Sequence, residues 1–303
     1  MNSDYPETIQ EFVDVFKTDK ECYEYLVKLR WPKGFVCPKC NNTTHTNHKR
    51  YLTYRCSRCS KETTVTSGTV FHNRHLPIRT WFFAIWFTVS QKGGISALGL
   101  SRELGIKRQM TGWNLLKILR TSMSQTNREK LKGIVEIDEV FIGGVYRGKR
   151  GRGALGKAIV LVAVEDKGKP KIGRVRMCII EDATSTNLLK AIQSMVEEGS
   201  TIHTDEFRSY EMLSKHNYKH EAVKKEPSKD NTPLVHRVAS LLKRWLLGTH
   251  QGGVHLNNLQ SYLDEYVFRF NRRTSASRGK LFYRLIQEML KTRGKVTGGE
   301  TTA

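Results

Sequence analysis

Apolar residues near the start of the chain recur at helical spacing: Ile9, Phe12, Val13 and Phe16, then Tyr23, Tyr25, Leu26 and Leu29. That periodicity predicts two short helices over residues 5–29. The spacing is lost from Trp31 to about Phe71, where Cys, Thr, Asn and basic residues take over, and it returns over residues 78–130. Within that stretch the run from Trp81 to Phe87 is apolar almost throughout, which predicts a buried helix; it is far shorter than the ~20 residues of a membrane span. Between 133 and 205 the period shortens to two. Strands are predicted at Ile134–Ile142, Ala158–Val164 and Gly173–Ile180, separated by Gly143-Gly144 with the basic loop Arg147–Gly153 and by the turn Asp166–Pro170. In the third strand Val175, Met177 and Ile179 alternate with Arg174, Arg176 and Cys178, the pattern of a sheet with one covered face. A helix is predicted from the capping pair Thr184-Ser185 to Glu198, then a short strand at Thr201–Thr204. Helical spacing resumes over about 233–291, ahead of a Gly/Thr-rich tail expected to be disordered.

Composition narrows the functional classes. A chain of 303 residues with 38% hydrophobic content allows two domains and at least one ordinary core. The formal net charge is +22; residues 1–30 hold seven acids and four bases, so the remaining chain carries +25. Such an excess points to a polyanion, most simply nucleic acid. No basic start followed by an apolar core marks a secretory signal, so a cytoplasmic location is expected. Six cysteines, four of them in two Cys-x-x-Cys pairs, predict metal binding in a reducing compartment, with Cys22 and Cys178 as buried thiols.

Cys37-Pro38-Lys39-Cys40 and Cys56-Ser57-Arg58-Cys59 are fifteen residues apart, the spacing of a two-knuckle zinc site. Four thiolates fill the coordination sphere of zinc and leave no position for water, so this metal is expected to organise a fold and not to catalyse. His45 and His48 between the knuckles are expected to be exposed loop residues. Lys39, Lys49, Arg50, Arg55 and Arg58, with Tyr51 and Tyr54, suit a phosphate backbone.

The segment Ser96–Trp113 reads as a helix, a turn at Gly105 and a second helix. On a helix-turn-helix reading Lys107, Arg108, Gln109 and Thr111 face DNA while Leu104, Ile106, Trp113, Leu116 and Leu119 pack; a plain helical hairpin has the same pattern.

Asp138 in Val135-Glu136-Ile137-Asp138-Glu139-Val140 and Asp205 in Ile202-His203-Thr204-Asp205 each lie at or near the end of an apolar run. Burying a carboxylate there costs free energy unless something compensates it; a divalent cation is one such compensation, an exposed face or an ion pair the others. Three strands in hairpin order, a helix and a further strand open an RNase H-like fold, and pairing of the fourth strand with the first would bring Asp138 and Asp205 around one ion.

The stretches Val135–Glu139, Phe141–Gly144, His203–Asp205 and Phe268-Arg269-Phe270-Asn271-Arg272-Arg273 resemble those of bacterial insertion-sequence transposases of the DDE superfamily, in the branch with an N-terminal zinc ribbon. The resemblance covers about residues 15–290. It implies an α/β architecture: an RNase H-like core, a mixed sheet with helices, preceded by a small zinc ribbon and a helical, helix-turn-helix-like region. It implies acidic residues that bind two Mg²⁺ ions, hydrolysis at element ends, attack of the freed 3′ hydroxyls on target DNA, and a dimer or larger assembly on double-stranded DNA. The expected segments are 1–30 (helical), 31–72 (zinc ribbon), 73–130 (DNA-binding), 131–275 (catalytic) and 276–303 (helix and tail).

At the position where the family usually carries Glu or Asn, this chain has His236, a softer ligand that suits Mn²⁺ better than Mg²⁺. Lys243, seven residues later, returns to the same helical face, where it can hold a DNA phosphate. The catalytic set expected is therefore Asp138, Asp205, His236 and Lys243. Glu265, then Glu136 or Glu139, are the substitutes for His236, and Glu265 has an alternative as the partner of Arg269. Gly248–His250 and Gly252–His255 read as a loop near the DNA. Arg269, Arg272 and Arg273 recur at helix-face spacing, as a backbone-tracking stripe or a solvated basic face. A regulator that binds DNA through an inactive RNase H-like domain is the competing function, and a nuclease that cuts without rejoining is a third.

Overall fold

The structure is a computed structural model that describes residues 4–47, 52–124, 129–143, 157–168, 171–223 and 231–291. By contact the chain forms two compact units, Met1–Met123 with Ser275–Ala303, and Ser124–Thr274. His48, Lys49, Arg50, Tyr51, the Arg147–Gly153 loop and the C-terminal tail lie outside the described residues.

In the first unit, helix α1 (Ile9–Val15) begins at Thr8, whose hydroxyl accepts from the Glu11 N–H. Helix α2 (Asp19–Arg30) begins with a capping box formed by Thr18 and Glu21. Phe12 of α1 and its C-cap residue Phe16, Phe82 and Trp86 of α3 (Ile78–Ser90) and Phe282 of the C-terminal helix α9 (Arg278–Lys291) make an aromatic core with neighbouring ring centroids 4.8–5.8 Å apart. Most of these rings meet edge to face, as their quadrupoles favour. The apolar run at Trp81–Phe87 is the buried centre of α3.

Three short antiparallel strands, β1 (His45–Asn47), β2 (Thr53–Cys56) and β3 (Glu62–Thr64), form the ribbon. Its small core is aromatic: Tyr54 packs on Trp31 and Phe35, and His45 lies against both Phe35 and Tyr54. His45 is thus an exposed strand residue, not a loop residue, and Tyr54 belongs to the ribbon core more than to a phosphate-facing surface. Helices α4 (Ala97–Glu103) and α5 (Gln109–Met123) flank a turn in which Gly105 takes φ +63°, a left-handed conformation that glycine adopts without penalty. The two helices approach so closely that a Cβ on Gly112 would lie 2.9 Å from the Ala97 carbonyl.

The second unit is built on a five-stranded sheet in the order β6-β5-β4-β7-β8. β4 (Ile134–Gly143), β5 (Lys157–Asp166) and β6 (Ile172–Ile180) are antiparallel neighbours; β7 (Thr201–Thr204) runs parallel to β4, and β8 (Lys219–Ala222) parallel to β7. This is the RNase H-like arrangement. β8 was not foreseen, because Lys-His-Glu-Ala at a sheet edge carries no apolar alternation.

Both faces of the sheet are covered, where one was expected. Val140, Val160, Val162 and Val175 pack under α7 (Pro233–His250) and α8 (Leu259–Phe270). Val135, Ile137, Leu161 and Ala163 pack under α6 (Ser185–Met195) and Tyr210. Burial on both sides explains why β4 and β5 read as nearly continuous apolar runs. α6 stops at Met195, short of the expected Glu198, because Val196 turns extended and bridges Leu131. α7 continues through Gly248 to His250, so that stretch is helix and not loop; His250 packs between Trp245 and Tyr262.

Candidate active site and zinc cluster

The two knuckles repeat one backbone device. Asn41 and Ser60, each four residues after the first cysteine of its pair, have φ of +57° and +54°, and each donates its N–H back to that cysteine's carbonyl at 2.9–3.0 Å. The four Sγ atoms lie within 4.8 Å of one another, and the pairs Cys37–Cys59 and Cys40–Cys56 are 3.6 Å apart. A tetrahedral zinc with Zn–S near 2.3 Å requires S···S edges of about 3.8 Å, so the set fits. Burial opposes ionisation of Cys56, but the backbone N–H groups of Cys59 and Arg58 and the Asn42 amide outweigh it and bring the thiol down to about 6. Cys40 moves the other way: against the Asn42 N–H, burial and the three neighbouring thiols push it up to about 12, so a metal that binds all four as thiolates displaces a proton.

In the second unit the strand register sets the carboxylates. β4 and β7 pair as Ile134↔Thr201, Val135↔Ile202 and Glu136↔His203. Two residues further along each chain, the same register brings Asp138 level with Asp205, just past the end of β7. Asp138 Oδ1 accepts from the Glu139 N–H at 2.7 Å, and Oδ2 accepts from the Thr232 hydroxyl at 2.8 Å. His236 Nε2 lies 3.3 Å from the same Oδ2. Burial pushes the Asp138 carboxyl up and the charge of Asp205 adds to this, against hydrogen bonds from Thr232 and Glu139 and the nearby His236. A buried carboxylate beside a second carboxylate is a place where a cation is favoured.

Asp138 and His236 are thus brought together, but Asp138, Asp205 and His236 are not drawn within 4.8 Å as a trio; among the described residues only the four cysteines are. His236, Ser240 and Lys243 line one open cleft of roughly 440 Å³ with Glu139, Val140 and Phe141. The one-face relation expected of His236 and Lys243 therefore holds.

The substitutes for His236 have other partners. Glu265 is fully buried and faces Arg269 at 3.5 Å. Glu136 accepts from the Val235 N–H at 2.7 Å, and Glu139 from the Tyr210 hydroxyl at 2.8 Å. Nor do the three arginines form a free stripe. Arg269 has a side chain only 11% exposed. Arg272 lies over the Phe268 ring and donates to the Phe268 carbonyl; Arg273 lies over Phe270 and donates to the Phe270, Gly173 and Ile172 carbonyls. Helix α8 ends there, so the spacing is not one of a continuing helix face. By contrast Lys107, Arg108 and Gln109 are exposed at the start of α5, with Leu116 and Leu119 buried beneath and Trp113 half-buried.

Sequence reading passed over Thr232. Thr-Pro before an apolar helix is a capping signal, and nothing local says that its hydroxyl turns to a strand 94 residues away.

Two family models match the chain. The ISXO2-like transposase domain matches residues 130–271 and the transposase zinc-ribbon domain matches residues 17–62. A protein in the transposable element ISH50 of Halobacterium salinarum is 24% identical over 280 residues, 85% of this chain and 92% of the relative. That organism is an archaeon, so relatives are not confined to bacteria. Among solved structures, the catalytic core domain of BIV integrase aligns with a TM-score of 0.33 at 18% identity, over 52% of this chain and 95% of that one. The Mos1 transposase paired-end complex with the left transposon end gives 0.31 at 13% identity, over 69% and 75%. The fold assignment rests on strand order and not on these alignments. Strand order, the cysteine cluster and the two family models together place this chain among the DDE insertion-sequence transposases, in the branch that carries an N-terminal zinc ribbon.

Proposed function

We propose that this transposase cuts the ends of its element and joins the freed 3′ hydroxyls to target DNA by metal-assisted phosphoryl transfer, with Asp138, Asp205 and His236 as the cation ligands. The observation that supports it best is the level placement of Asp138 on β4 and Asp205 just past the end of the parallel neighbour β7, with His236 3.3 Å from Asp138. A pair of divalent cations bound there supplies charge neutralisation to the attacking and leaving oxygens. The chain's own contribution is then to hold oxygen and imidazole donors in place and to orient the DNA. Lys243, two turns beyond His236 in the same cleft, offers an ammonium to the adjoining phosphate. The first unit adds DNA affinity: Lys107, Arg108 and Gln109 at the entry to α5 face the duplex, and Lys39, Arg55 and Arg58 surround the zinc knuckles. The working division is ribbon 31–72, DNA-binding helices 73–130 and catalytic domain 131–275, acting as a dimer or larger assembly on two DNA ends.

The test is cleavage of a labelled element end in Mg²⁺ or Mn²⁺. Asp138→Asn and Asp205→Asn are expected to lower cleavage by at least about a hundredfold, and His236→Ala by about ten- to a hundredfold with a shifted metal preference. Cleavage untouched by His236→Ala would remove that residue from the ligand set. Absence of cleavage by the unaltered chain in either metal would favour the DNA-binding regulator.

A further inference from the structure

Thr232 is the N-cap residue of α7 and Pro233 follows at the first helical position. In an ordinary cap the threonine oxygen accepts from an N–H two or three residues into the helix. Here it makes no such bond. The hydroxyl donates to Asp138 Oδ2 at 2.8 Å, and the N–H of Val235, the third helical residue, donates to Glu136 Oε1 at 2.7 Å. The cap is therefore exchanged between elements: β4 provides the acceptor that α7 needs, and α7 returns a hydroxyl to β4. Thr232 and Glu136 are 1% and 6% exposed, so neither bond competes with bulk water. A carboxylate at a helix N-terminus is also favoured by the helix dipole.

Geometry gives the exchange a consequence. Glu136 and Asp138 point to the same face of β4, and Val235 directly precedes His236. The Glu136–Val235 bond fixes the first turn of α7 against β4 one residue before His236. The Thr232 hydroxyl on Oδ2, with the Glu139 N–H on Oδ1, stops rotation of the Asp138 carboxylate. Each carboxylate oxygen has two lone pairs, so these bonds orient Asp138 without using up its capacity to bind a cation.

We propose that Thr232 and Glu136 are positioning residues for the divalent-cation site, the first setting the rotamer of Asp138 and the second the placement of His236. This rests on the reading of Asp138 and His236 as ligands. Outer partners of metal ligands commonly change affinity ten- to a hundredfold when removed, although they never touch the ion.

The experiment measures Mn²⁺ binding to the zinc-loaded full chain without DNA, by calorimetry or paramagnetic resonance, together with amide exchange at Val235. Thr232→Val is expected to weaken Mn²⁺ binding about ten- to a hundredfold, and Thr232→Ser to restore it to within a few-fold. Glu136→Gln keeps an acceptor oxygen and is expected to keep Val235 protected; Glu136→Leu is expected to expose that amide and weaken Mn²⁺ binding. If Thr232→Val and Glu136→Leu bind as the unaltered chain does while Asp138→Asn does not, the positioning role is overturned and the cation site stands. If Asp138→Asn also binds normally, the cation site itself is overturned. Should Glu136→Leu fail to fold, the Val and Ser variants of Thr232 decide for that residue, and Glu136→Gln with an exposed Val235 amide counts against Glu136.

Discussion

Glu165 shows how far a single residue's behaviour depends on partners distant in sequence. It is 1% exposed on β5 and accepts hydrogen bonds from the Arg174 guanidinium and from the Arg174 and Lys132 N–H groups. Burial alone would push its carboxyl up, but the bonds from Arg174 and Lys132 and the Arg174 charge outweigh it and hold the carboxyl below its usual range. A depressed folded-state pKa means that the stability Glu165 contributes is complete above the unfolded value of about 4.3 and is lost as pH falls through the lower folded value. In denaturant titrations the unaltered chain should therefore lose more stability between about pH 5 and 3 than Glu165→Gln does. At neutral pH Arg174→Ala should destabilise by about 2–3 kcal/mol, because it leaves the buried carboxylate with only the exposed Lys167, 3.7 Å away, as a cation. The same limit governs the proposed active site. Asp138, Asp205 and the four cysteines stood out in the sequence because their residue type conflicts with an apolar strand or repeats at ligand spacing. Thr232 did not, since a threonine before Pro-Leu-Val suits a cap, and Glu136 stood out only as a substitute ligand, with nothing local to mark it as the acceptor of the Val235 N–H.

At the scale of elements, the motif Phe268–Arg273 was legible as important but its role was not. It fastens an edge strand: Asn271 accepts from the Val175 N–H and donates to the Val175 carbonyl, while Gln260, earlier on α8, accepts from the Ile179 N–H. An edge strand otherwise presents unpaired N–H and C=O groups. Asn271→Ala should cost about 2 kcal/mol, two hydrogen bonds of about 1 kcal/mol each, and should speed amide exchange at Val175 before exchange in β4. The ribbon depends on a different bond. Its three strands hold ten residues in all, too few for an independent core, so metal binding is expected to supply its folding free energy. Cys56→Ser should lower zinc content from about one per chain, measured by atomic emission, and open residues 31–72 to protease while the second unit stays resistant. Retention of full zinc content by that variant would contradict the tetrathiolate assignment.

For the whole molecule, charge sets behaviour that no single contact does. With a net charge of +22, end binding should fall steeply with salt: six to ten phosphate contacts imply a loss of about 10³–10⁵ in affinity between 50 and 200 mM. Replacing Lys107 and Arg108 together by alanine should reduce the slope of log K against log salt by about 2, read by fluorescence anisotropy; an unchanged slope would show that these side chains do not meet phosphate. The sequence by itself determined the strand and helix series from β4 to β7, the cysteine tetrad and the candidacy of the two aspartates, because periodicity, ligand spacing and misplaced charge are local properties. Only the tertiary structure decided that both sheet faces are covered, that Arg269, Arg272 and Arg273 are engaged within the protein, that β8 exists and that α7 is capped by β4. Each of those depends on which residues meet across long separations, and a side chain's local pattern does not name its partner.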